Sequence, residues 1–176
     1  MQSPARKIII AVLFSAVFAA CTADDANTAN QNSANQTTTA TNSNSVHDNV
    51  DELELTIKLP YHPEEAVWRE EPVGKAPTGR VPGPTDRKLI AVLRFPKEDA
   101  DKITAQAEKY KPAAPETIQT ESWFPAELIA QSQTSGDETV KGASFPANDF
   151  YNPPYSDGKI TRVEGTDYFV LELFTK

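Results

Sequence analysis

Apolar and polar residues alternate from Asp51 to Leu59, with Leu53, Leu55, Ile57 and Leu59 set against Glu52, Glu54, Thr56 and Lys58. A period of two predicts a strand with one face in water, ended by Pro60 and Pro63. Between Lys88 and Phe95 the chain is nearly continuous apolar sequence, which predicts a strand covered on both faces. After Pro96, residues Ala100, Ile103, Ala107 and Tyr110 recur at helical spacing. Glu98, Asp99 and Asp101 crowd the start of that stretch, and Lys109 and Lys111 close it. Both placements suit the helix dipole, so a helix is predicted over Lys97–Tyr110. Near the end, Lys159–Val163 and Asp167–Phe174 flank Glu164-Gly165-Thr166, a hairpin signal. Phe169, Leu171 and Leu173 share one side of the last run, with Tyr168, Val170 and Phe174 on the other, as in an inner strand.

Phe95-Pro96, Phe124-Pro125 and Phe145-Pro146 share one chemistry. Proline suits the first helical position, and a preceding aromatic can pack back on the first turn. They predict a long helix from Pro96, a short one over Pro125–Gln131 and a single turn over Pro146–Tyr151. Thr117–Trp123 is a short strand or an extended connector, and Gln133–Gly142 a polar loop. Trp68–Lys88 is broken by Pro72, Pro77, Pro82 and Pro84 and by Gly74, Gly79 and Gly83, so it predicts a long loop. The expected fold is α+β, a small mostly antiparallel sheet of about four strands with one main helix packed on it.

The first residues carry a different signal. Arg6 and Lys7 precede an apolar run from Ile8 to Ala20 that only Ser15 interrupts. Its length, about 13 residues, fits a secretory core of roughly 7–15 and falls short of the roughly 20 that span a bilayer. Phe18-Ala19-Ala20-Cys21 resembles the lipobox of bacterial lipoproteins, with Phe18 where Leu is commoner. The resemblance implies cleavage before Cys21, acylation of its thiol and anchoring in a lipid bilayer. Thr22 stands where an Asp marks inner-membrane retention in that family, which points to the outer membrane. The alternative is an ordinary cleaved signal that ends near a cysteine, although Cys21 is the single cysteine of the chain.

The stretch from Thr22 to Ser45 holds Asp24 and Asp25 among Thr, Ala, Asn, Gln and Ser. Without large apolar residues it cannot offset its ordering entropy, so a disordered tether is expected over residues 21–50. An Asn/Gln-rich self-associating segment is the alternative. The folded domain is then expected over 51–176, behind a signal peptide over 1–20.

A formal net charge of −8 argues against nucleic acid as partner, since phosphate binding needs clustered cations. Few catalytic constellations remain. His62 is the one histidine outside the expected tether, so a Ser-His-Asp site would have to be built on it. No zinc-type ligand set, phosphate loop or calcium loop stands in the sequence, and no cofactor is implied. The unusual segment is Phe145–Gly158, where Phe145, Phe150, Tyr151 and Tyr155 lie among Pro146, Pro153 and Pro154. Aromatics on a stiff surface loop suit binding; the alternative is that Phe145, Phe150 and Tyr151 fold inward as minor core. Lys75, Arg80, Arg87 and Lys88 make the loop before them locally basic. The expected contact face joins Tyr151 and Tyr155 to Arg80. The expected role is non-catalytic binding or assembly with an envelope protein, peptide or glycan, and the alternative is a small envelope hydrolase using carboxylates.

Overall fold

The computed structural model describes residues 45–74 and 86–175. Three helices and six strands follow one another: α1 (Val50–Thr56), β1 (Glu65–Pro72), β2 (Arg87–Arg94), α2 (Lys97–Tyr110), β3 (Ala114–Gln119), α3 (Ala126–Ser135), β4 (Thr139–Pro146), β5 (Tyr155–Val163) and β6 (Tyr168–Thr175). A single 3-10 turn, Asn148–Phe150, lies between β4 and β5. The strands form one antiparallel open sheet in the order β1-β2-β6-β5-β4-β3, so β6 returns to the middle beside β2. The α+β expectation holds, with more strands and helices than the pattern disclosed.

Both faces of the sheet are covered. On one, Leu53 and Ile57 from the α1 region and Ala100, Ile103 and Ala107 from α2 pack on Leu89, Ala91, Leu93, Phe169, Leu171 and Leu173. On the other, Phe124 and Leu128 from α3 and its lead-in pack on Ile90, Val92, Val140, Val163, Tyr168 and Val170. This two-sided burial is why β2 and β6 read as nearly unbroken apolar runs. The hairpin of β5 and β6 turns at Gly165, whose φ of 75° is the left-handed region that favours glycine.

Several expectations need correction. Residues 51–59 form no strand: α1 runs from Val50 to Thr56, with Asn49 Oδ1 accepting from the Asp51 and Glu52 amides. Leu53 and Ile57 are four residues apart, so a helix buries both, while Leu55 turns outward at 83% exposure. The expected loop from Trp68 starts inside β1, whose Ala66 and Trp68 face the α2 side of the sheet. Gln133–Gly142 is likewise shorter as a loop than expected, because α3 continues to Ser135 and β4 begins at Thr139. Tyr110, expected on the buried face of α2, is exposed, and its hydroxyl donates to Asp149 at 2.6 Å.

Folding also begins upstream of Asp51. His47 N–H donates to Trp68 O, and Trp68 N–H to His47 O, each at 2.8 Å. Their rings stack with centroids 4.5 Å apart. The signal peptide, Cys21, the tether up to residue 44 and the loop residues 75–85, including Arg80, lie outside the described residues. Among those described, no helix is long and apolar enough to cross a membrane.

Candidate binding face

Tyr155 does not stand on a surface loop. It opens β5, it is 2% exposed, and its hydroxyl donates to Glu70 Oε1 on β1. Arg87 Nη1 holds the other Glu70 oxygen at 3.1 Å. Burial, reinforced by the Glu70 carboxylate, pushes the Tyr155 phenol well above its usual range. Phe145 and Phe150 are core residues too, so the inward alternative holds for both. Tyr151 is half-buried, and its hydroxyl donates to Gly158 O at 3.2 Å; burial pushes this phenol up as well. The structure therefore brings Tyr155 to Arg87, at the end of the basic loop, through Glu70. It does so inside the fold, not on a contact face.

The physical reason lies in the strand itself. β5 starts four residues before the Lys159 expected from the pattern, and Gly158 lets it do so. A register shift separates Tyr155 and Asp157 along β6. At φ 152°, a Cβ on Gly158 would stand 2.2 Å from Glu172 O. The glycine lets β5 bend against β6 and carries Tyr155 inward.

The largest cleft among the described residues, about 670 Å³, opens beside α2 over the ends of β3, β4 and β5. Ala114, Pro115, Gly142, Ala143 and Val163 line it with small apolar surface, and Lys97, Arg162 and Asp167 stand at its rim. Arg162 is fixed there: Nη1 donates to Asp101 and Nη2 to Asp167, both at 2.8 Å. Lys97 holds the other Asp101 oxygen at 2.9 Å. Hydrogen bonds from Lys97 and then Arg162 keep the Asp101 carboxyl below the usual carboxylate range.

The opposite face carries a row of alternating charge. Glu172 lies between Lys88 at 2.7 Å and Lys159 at 3.0 Å, and Lys159 reaches Glu116 at 3.2 Å. Burial alone would raise the Glu172 carboxyl; the two lysines outweigh it and hold it down. Burial would lower Lys159, but Glu172 and Glu116 hold it up. Near α3, the buried Tyr168 hydroxyl lies within hydrogen-bond reach of Glu65 (2.9 Å) and Glu127 (3.1 Å). Its one proton serves one carboxylate at a time. Burial, then the two carboxylates, push that phenol up.

His62 is exposed, with Nδ1 3.1 Å from Glu54, and no serine hydrogen-bonds it among the described residues. Arg162 and the Lys88–Glu172–Lys159 row escaped the sequence reading. Their signal was a charged residue at alternate positions inside strands otherwise apolar, such as Glu172 between Leu171 and Leu173. No protein-family model, no curated protein and no solved structure matches the chain.

Proposed function

We propose that this chain is a lipid-anchored envelope protein, held through acylated Cys21, whose folded domain binds a partner and does no chemistry on it. The cleft over β3, β4 and β5 is its contact site. One observation carries the choice of binding over catalysis: each resolved protonation shift runs away from neutrality. Asp101 is held down by Lys97 and Arg162, Asp137 by Thr139, and Glu172 by its lysines. Lys102 is held up by Glu98 and Asp99, Lys159 by Glu172 and Glu116, and Tyr151, Tyr155 and Tyr168 by burial. General acid–base catalysis needs the reverse, a group tuned towards the working pH. These ion pairs fix side chains instead, which is what a rigid recognition surface requires.

The cleft supports the same reading. It is concave, mainly apolar on its floor and edged by a few immobilised polar groups, the usual make-up of a binding site. The position of the lipobox-like Phe18–Cys21, well upstream of the first described residue, supports a domain held at a distance from the bilayer. Site-specific photocrosslinking in native membranes tests the proposal, with the crosslinker at exposed Ala114 on the cleft and, as control, at Glu108 on α2. Adducts to one envelope partner from Ala114 alone are the expected result. Equal labelling from both positions, or carboxylate-dependent hydrolysis of ester or glycoside substrates by the purified chain, would overturn it.

A further inference from the structure

The geometry points to β3 as a docking edge, where an extended acidic segment of a partner protein adds a further strand to the sheet. This deepens the binding reading above and rests on it. The sheet has two ends, and one already accepts such a strand. There the His47 backbone pairs with Trp68 of β1 through two hydrogen bonds of 2.8 Å. At the other end β3 pairs with β4, and no described residue pairs with its outer side.

Parity assigns the backbone groups of β3. Thr120 N–H donates to Glu138 O at 2.9 Å, so Thr120 faces the β4 side. In an antiparallel ladder the facing alternates, so Ile118 and Glu116 also turn to β4, and Pro115, Thr117 and Gln119 turn outward. Pro115 has no N–H to offer, which suits an outer edge. Thr117 and Gln119 each present an N–H and a C=O, spaced as two rungs for an incoming strand. Main-chain rungs give affinity in strand addition, and pockets for alternate side chains give selectivity.

The cleft supplies that pocket, since Ala114 and Pro115 of β3 form part of its floor. Charge selects the occupant. Lys111 directly precedes the strand region, and Lys141 is paired in register with Thr117. Neither makes an ion pair among the described residues, in a chain of net charge −8. Two cations with no ion-pair partner beside two open rungs favour carboxylates on the incoming strand.

The test uses the full mature chain in detergent micelles and two capped eight-residue peptides, one alternating Val with Glu and one alternating Val with Lys. Amide exchange is read residue by residue by NMR. The Val/Glu peptide should slow exchange at Thr117 and Gln119 tenfold or more, and the Val/Lys peptide should not. Thr117→Pro removes an outward N–H and no β4 rung, so it should weaken the Val/Glu peptide at least tenfold. Should Thr117→Pro disturb folding, Lys141→Glu gives the same loss through charge. No protection from either peptide, or equal protection from both, overturns the proposal. So does finding both amides protected in the free chain and exposed once residues 22–44 are deleted, because the edge is then covered by the chain itself. Crosslinking from Ala114 that survives Thr117→Pro would leave the binding reading standing and remove strand addition alone.

Discussion

Glu172 and Tyr155 are both half of a buried hydrogen-bonded pair, and they set opposite limits to the pH range of stability. The Glu172 carboxyl is held below its ordinary value of 4.5 by Lys88 and Lys159. Below that value the unfolded chain takes up a proton that the folded chain refuses. The stability it contributes is therefore present above about 4.5 and lost as pH falls through the lower folded value. Glu172→Gln should flatten the acid limb of a stability-versus-pH curve. At neutral pH it should cost about 1–3 kcal/mol, because two lysines lose their charged acceptor. Tyr155 is raised above its ordinary 10.0. Its contribution is complete below that value and fades as pH rises beyond it, when the unfolded chain releases the phenolic proton first. Tyr155→Phe should cost about 1–3 kcal/mol by leaving Glu70 without its buried donor. Denaturant titrations from pH 3 to 11 check both; an acid limb unchanged in Glu172→Gln would refute the assignment.

At the scale of elements, legibility depended on how many periods a pattern spanned. α2 covers nearly four turns, so its spacing and its dipole-matched ends identified it. The stretch from Leu53 to Leu59 is too short to separate periods. Its alternation contains the pairs Leu53/Ile57 and Leu55/Leu59, which suit a helix equally well. The deciding residue is Asn49, upstream of the pattern, whose side chain caps α1. β1 was hidden by its place at the sheet edge, where Arg69, Glu70 and Glu71 are tolerated and paired with Glu121 and Arg87. A mature chain shortened to begin at Asp51 loses the Asn49 cap and the His47 stack. It should unfold about 1–3 kcal/mol more easily than one beginning at Ser45, and equal denaturation midpoints would deny that the docking contributes. Gly158→Ala should destabilise more, since both its φ and the approach of Glu172 O exclude a Cβ.

At the scale of the molecule, the sheet is the shared wall of two cores. Leu171, fully buried in the middle strand, belongs to the α2 side. Leu171→Ala should cost roughly 2–5 kcal/mol, read from the denaturation midpoint. The α+β class was legible because β2, α2 and the β5–β6 hairpin dominate the core. The site was not, because a cleft is formed by what small residues leave empty, and Ala114, Gly142 and Ala143 carry no local pattern. The aromatics of Phe145–Gly158 drew attention for their chemistry, yet Phe145, Phe150 and Tyr155 serve packing. Anchoring is a separate property of the chain. Cys21→Ser should move the protein from the membrane fraction to the soluble exported fraction, and full retention on membranes after signal removal would contradict acylation there.

The central claim is that the cleft beside β3 holds an envelope partner, and affinity capture tests it most directly. Wild type and Ala114→Trp, a bulky change at an exposed position on the cleft floor, are purified with the tether intact after crosslinking in membranes. The partner recovered per folded molecule is then quantified. Wild type should recover one envelope partner, and Ala114→Trp should recover at least tenfold less, a loss of about 1.4 kcal/mol, with a melting temperature within a few degrees of wild type. Equal recovery by both would contradict the account and place the binding surface elsewhere.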